Sequence, residues 1–303
     1  LLNDLSLLYK GKPPKKSDDL SILEEIPSLE EVISLFHQKD ILEPEWRPFP
    51  EFSTAKHNRI RTLDALILYT IAKAQEGPVC GKHKRLAEQI EQGDIVLSYN
   101  YDTIFDSALK EKRLLSDDGY EMDFHRVFSG GQWVQPEQEP SNISMFKLHG
   151  SFNWLQCTNC GCRFLYRDNL TFRYLDLAER YTFEECPRCH NRSLMAILVP
   201  PLIGKAYKEY GVSFLWSLAN DKIVTETKNI EEVIIIGYRL PESDIASLLL
   251  FRNTIQFLIK DKHKQLIVVN PDKNVLKRFK NVLLKANALH YSNMDEYIGS
   301  FKS

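Results

Sequence analysis

Ile95-Val96-Leu97-Ser98-Tyr99-Asn100-Tyr101-Asp102 decides the fold. Four apolar or small residues, two of them β-branched, predict a short buried strand. A polar run follows at once, and Thr103 to Leu109 then reads as a helix. The same grammar recurs downstream. Strands are expected at Met145–Leu148, Ala196–Val199, Glu232–Ile236 and Leu266–Val269, the second of these stopped by Pro200 and Pro201. Helices are expected at Phe214–Thr227, Ile245–Ile259 and Asn274–Lys285. Strands alternating with helices require right-handed crossovers, so the expected class is α/β with a parallel, Rossmann-like sheet.

The first third differs in character. Leu23, Ile26, Leu29, Val32, Ile33 and Phe36 recur at helical spacing, and Ile60–Ala74 and Lys84–Gln92 read as further helices. Pro44, Pro48 and Pro50 mark a connector over 42–57. The expected organisation is a helical region over 1–90, an α/β ligand-binding domain over 91–303, and a small inserted module over 152–196.

Bulk properties narrow the function. The 303 residues are 43% hydrophobic and 26% charged, which suits a globular chain able to bury a large core. A formal net charge of -2 leaves no basic excess to displace counterions from phosphates, so no direct nucleic-acid binding is expected. No apolar run approaches the ~20 residues of a membrane helix. No secretory leader is visible, and the expected location is cytoplasmic.

Cysteine spacing defines the inserted module. Of six cysteines, four form the pairs Cys157-Thr158-Asn159-Cys160 and Cys186-Pro187-Arg188-Cys189, with 25 residues between them. Two such knuckles close a tetrahedral thiolate site for structural zinc. The gap is somewhat longer than the usual ~15–20 residues. Cys162 and His190 are competing ligands, and a redox role for either pair is the alternative.

In open α/β sheets, ligands bind beyond the carboxyl ends of the strands. The polar residues of this sequence collect there. Strand 95–98 runs into Asn100 and Asp102, strand 145–148 into His149-Gly150-Ser151, strand 232–236 into Gly237-Tyr238, and strand 266–269 into Asn270-Pro271-Asp272. Each has a plain local reading. Asp102 can cap the following helix, His149 can bond a carbonyl, and Asn270-Pro271-Asp272 can be only a turn and cap.

The order of these segments resembles the SIR2-like family. Ser98-Tyr99-Asn100-Tyr101-Asp102 is similar to its Asn-x-Asp signature, and Leu148-His149-Gly150-Ser151 to its His-Gly-Ser motif. The two cysteine pairs follow, as in zinc-bearing sirtuins. Ile236-Gly237-Tyr238-Arg239-Leu240-Pro241, with Asp244, resembles the glycine motif of bacterial SIR2-like domains. Val269-Asn270 resembles the late Asn at the adenosine end of NAD. The resemblance spans residues 90 to 300. It implies a sirtuin or DHS-like NAD-binding fold with an inserted zinc module.

The family's opening Gly-Ala-Gly-x-Ser turn has no counterpart before residue 60, and the expectation is that it lies upstream of Leu1. The Asn-Tyr-Asp wording and the helical first third are more similar to bacterial NAD-hydrolysing members than to deacylases. By resemblance, Asn100 positions water or the ribose hydroxyls and His149 is the general base. Asp102 holds the nicotinamide carboxamide or orients Asn100. Gly237 lets the backbone approach NAD, Tyr238 is a further NAD-binding residue, and Asn270 binds the adenosine ribose.

The implied activity is NAD glycohydrolysis to nicotinamide and ADP-ribose, or its cyclic form, in antiphage defence by NAD depletion. The implied partners are further copies of the chain, assembled through the helical first third, or a separate ATPase or sensor. An NAD-dependent deacylase or ADP-ribosyltransferase is the second reading, and a non-enzymatic module binding an NAD metabolite the third.

Overall fold

A computed structural model describes residues 70–302 except 138, 169–184, 193, 200–206, 209–210, 243, 261–262 and 284–286. The helices expected at 23–36 and over most of 60–74, and the connector at 42–57, lie outside the described residues; 70–74 are helical.

The chain then runs α1 (Gly81–Ala87), β1 (Ile95–Ser98), α2 (Ile104–Glu111), β2 (Arg126–Ser129), β3 (Gln132–Val134), β4 (Ser144–Lys147), β5 (Gly150–Cys157), β6 (Arg163–Tyr166) and β7 (Leu194–Leu198). It continues with α3 (Ser213–Thr225), β8 (Glu232–Ile236), α4 (Ile245–Leu250), a π-helical turn (Phe251–Ile255), α5 (Gln256–Leu258), β9 (Gln265–Val269), α6 (Lys273–Val282), β10 (Ala288–Tyr291) and α7 (Met294–Gly299). No helix among the described residues is long and apolar enough to cross a membrane.

The α/β class is as expected, and two of its sheets are parallel. β1 pairs with β4, Ile95 opposite Ser144 and Ser98 opposite Lys147. β9 lies between β8 and β10, parallel to both. The expected strand near 196–199 forms as β7, but it pairs antiparallel with β5. It belongs to a five-stranded mixed sheet of order β3-β2-β6-β5-β7. That sheet takes β2 and β3 from upstream of residue 152, so the cysteine segments sit on a broader platform than their own span.

Local chemistry sets the element ends. Lys112 donates from Nζ to the carbonyls of Ala87 and Glu88, at 3.2 and 2.7 Å, and α1 stops there, short of the expected Gln92. Asp272 accepts from the Asn274 N–H at 2.9 Å and starts α6. Asn293 does the same for α7, accepting from the Glu296 N–H at 3.0 Å.

Two apolar cores meet at β5. Trp154, Met145, Leu148, Leu165, Leu215 and Leu266 are buried in the main core. Phe152, Leu155 and Cys157 turn into a second one, with Phe164, Tyr166 and Leu194. A register shift between Gly150 and Leu155 breaks the two-residue alternation and lets one strand serve both. Truncating Trp154, fully buried between the layers, should cost about 3–5 kcal/mol.

Candidate functional site

The β1–β4 register brings two of the expected site segments side by side. Ser98 faces Lys147, and the ladder runs one step further, with the Leu148 N–H donating to the Ser98 carbonyl at 2.9 Å. Asn100 and His149 therefore each follow a paired position by two residues, at the carboxyl edge of neighbouring parallel strands. Asn100 is exposed there. His149 is not: its side chain retains 8% of its accessible surface.

The chain reverses through Leu148-His149 and enters β5 at Gly150, so Gly150 and Ser151 are strand residues. Gly150 has φ +82°, and a Cβ there would lie 2.1 Å from the Ile197 carbonyl oxygen. Only glycine makes this turn without displacing β7. The His149 carbonyl accepts from the Val199 N–H at 2.9 Å, and the Leu148 carbonyl accepts from the Trp216 indole at 3.1 Å. Three elements thus fix the backbone that carries the imidazole.

Around that imidazole lies an aromatic and acidic cluster. His149 Nε2 is 3.2 Å from Oδ2 of Asp244, whose side chain is fully buried. The Tyr238 hydroxyl donates to Oδ2 at 2.7 Å and the Tyr207 hydroxyl to Oδ1 at 2.8 Å. Tyr207 also approaches Nε2 at 3.4 Å. Tyr99 stacks on Tyr238 with ring centroids 4.0 Å apart and meets His149 edge-on at 5.3 Å. This stack joins the end of β1 to the end of β8.

Burial pushes the hydroxyls of Tyr99, Tyr207 and Tyr238 upward, and the Asp244 charge adds to it for all three. They remain protonated donors at any physiological pH.

The other expected residues have local employment. Asp102 Oδ1 accepts from the Ile104 N–H at 3.1 Å, an Asx turn into α2 that shapes the loop carrying Asn100. Gly237 has φ +69° and open space where a side chain would stand. Its N–H donates to the Val269 carbonyl at 3.0 Å, which places it beside Asn270. Asn270 is buried, and its Oδ1 accepts from the Asp272 N–H at 3.0 Å. Among the described residues, no hydrogen bond or ring contact joins Asn270 to the His149 cluster.

Tyr207, Trp216 and Asp244 were not among the expected site residues. Asp244 stands in the quoted segment after β8, so its position was visible but its partner was not. Tyr207 lies outside any helix or strand and left no periodic signal.

The four cysteines converge. The Sγ atoms of Cys157, Cys160, Cys186 and Cys189 all lie within 4.8 Å of one another. Cys157–Cys189 and Cys160–Cys186 are 3.6 and 3.7 Å apart. A tetrahedron with Zn–S bonds of about 2.3 Å has edges of about 3.8 Å, so the donor set and its size fit zinc. Each pair makes a knuckle: the Gly161 N–H donates to the Cys157 carbonyl and the His190 N–H to the Cys186 carbonyl, both at 2.9 Å. The Asn191 N–H and the Asn159 amide hold the Cys189 thiol down, to about 6. Cys162 stands outside the four and accepts from Arg188 at 2.7 Å. The His190 ring points away, to Glu185 at 2.8 Å.

Neither a protein-family model nor a curated protein matches this chain. Among solved structures, one described under the structural basis for the mechanism and regulation of Sir2 enzymes is similar. It is 13% identical, the alignment covers 82% of this chain and 77% of that one, and the TM-score is 0.40.

Proposed function

We propose that this chain cleaves the bond between nicotinamide and ribose in NAD. One observation carries the reading: the β1–β4 ladder sets Asn100 and His149 side by side at a carboxyl sheet edge. Breaking this bond passes through an oxocarbenium-like state, so the site needs an oriented acceptor and a group to take one proton. Asn100, exposed, would orient water or the ribose hydroxyls by its amide. His149 would take the proton, a role imidazole suits near neutral pH. Asp102 would act through the turn that presents Asn100. The open backbone at Gly237, with Tyr238 and Asn270 nearby, would receive the dinucleotide.

In this reading the four cysteines hold one structural zinc, which four thiolates saturate, leaving no coordination position for substrate. The motif order favours a hydrolase that depletes NAD in bacterial defence, acting in assemblies of itself or with an ATPase or sensor.

The test is incubation of purified protein with NAD, with and without an acyl-lysine peptide, following nicotinamide. Release without peptide is expected. Release that requires the peptide would transfer the assignment to a deacylase, and binding without release would make the chain a ligand sensor.

A further inference from the structure

We propose that Asp244 is the positioning residue for His149, fixing the ring as the tautomer with its proton on Nε2 and its lone pair on Nδ1. As a statement about catalysis this rests on the reading of His149 as the base; as a statement about the ring it does not.

The protons around the ring can be counted. Asp244 sits immediately before α4, where its carboxylate could cap the helix, yet it makes no such bond. Both oxygens turn inward instead. Oδ1 receives the Tyr207 hydroxyl, and Oδ2 receives the Tyr238 hydroxyl and faces His149 Nε2. Two donated hydroxyls favour the ionised form of this fully buried carboxyl group, which only accepts. A phenol has one proton. Tyr207 gives its proton to Asp244, so it offers Nε2 only an oxygen lone pair. Its ionisation is suppressed by burial and by the Asp244 charge, so it does not change roles. Nε2 therefore faces two acceptors, the carboxylate at 3.2 Å and the phenol oxygen at 3.4 Å, and must carry a hydrogen. The neutral ring has one such hydrogen, which leaves Nδ1 as its basic nitrogen. When Nδ1 takes a proton, the imidazolium that forms already faces an anion held by two tyrosines.

The groups facing the ring come from four places. Tyr99 and Tyr101 follow β1, Tyr207 precedes α3, Trp216 lies on α3, and Tyr238 and Asp244 follow β8. Asp244 carries the one carboxylate among these.

The experiment is nitrogen-15 NMR of imidazole-labelled protein, wild type against Asp244→Asn, Asp244→Glu and Tyr207→Phe, paired with NAD turnover. In the wild type and in Tyr207→Phe, the His149 Nε2 resonance should be that of a protonated nitrogen and Nδ1 that of a bare one. In Asp244→Asn the pattern should become mixed or inverted. Its kcat should drop about 100-fold or more with KM for NAD within about threefold, and Asp244→Glu should restore part of kcat. A wild-type ring protonated on Nδ1, or a spectrum unchanged in Asp244→Asn, overturns the proposal. If wild type has the expected spectrum but releases no nicotinamide, the tautomer assignment stands and the catalytic reading falls. If Asp244→Asn does not fold, the proton position in wild type and Tyr207→Phe still decides.

Discussion

The Lys147 ammonium lies 3.2 Å from the Asp106 carboxylate, with side-chain exposures of 0% and 2%. Lys147 ends β4, and Asp106 lies in the first turn of α2. Tyr120 donates to Asp106 at 2.8 Å, and Lys147 also donates to the Asp102 carbonyl. The pair thus ties the Asn100 loop to the strand that delivers His149. Removing one partner strands the other charge. Lys147→Met and Asp106→Asn should each cost about 3–5 kcal/mol in urea unfolding. The double variant Lys147→Met/Asp106→Asn should cost less than the two single changes summed, by about 1–3 kcal/mol. Simple additivity would show that the two charges are not coupled.

Gly150 and Gly237 both have positive φ, but their surroundings differ. Gly237→Ala meets open space and should cost only the backbone strain, about 1–2 kcal/mol. Gly150→Ala drives a methyl into the Ile197 carbonyl as well and should cost about 2–5 kcal/mol. Thermal unfolding of the two variants side by side reads the difference.

Metal analysis of purified protein should find about one zinc per chain. Cys186→Ser should lose it, because Cys186 is fully buried and no other thiol can take its place: Cys162 is held by Arg188. Chelation should lower Tm, and zinc should restore it. Full-strength thiol labelling of all four cysteines in native protein, with no metal found, would dispose of the site.

Asn100 is exposed, so Asn100→Ala should leave stability within about 0.5 kcal/mol of wild type. Nicotinamide release should nevertheless fall about 100-fold or more, the cost of a misplaced acceptor. Unchanged release would remove Asn100 from the chemistry.

How far the sequence reached depends on how local each feature is. β1, β4, β8 and β9 are legible as apolar runs ended by polar residues, and α3, α4 and α6 as the helical segments alternating with such strands. The cysteine knuckles needed only their spacing. β2, β3 and β6 do not stand out, because Arg126–Ser129, Gln132–Val134 and Arg163–Tyr166 mix charged or polar residues with aromatics and gain strand character from one another across the sheet. β7 is legible as a strand, while its antiparallel pairing, from Gly150 opposite Leu198 to Cys157 opposite Leu194, is too distant in sequence to leave a local pattern. The candidate site divides likewise. His149 and Asn100 could be read from strand ends. The pairing of His149 with Asp244 and Tyr207 is a tertiary fact, set by how α3 and the β8 end pack, and no single segment encodes it.

β5 has one further implication. It is an eight-residue rod, about 25 Å long, whose first residue adjoins the imidazole and whose last is a knuckle thiol. Anything that loosens the thiol end, whether chelator or oxidant, frees the far anchor of the segment on which the imidazole turn is built. The cysteine cluster is then a remote foundation for an imidazole it never touches.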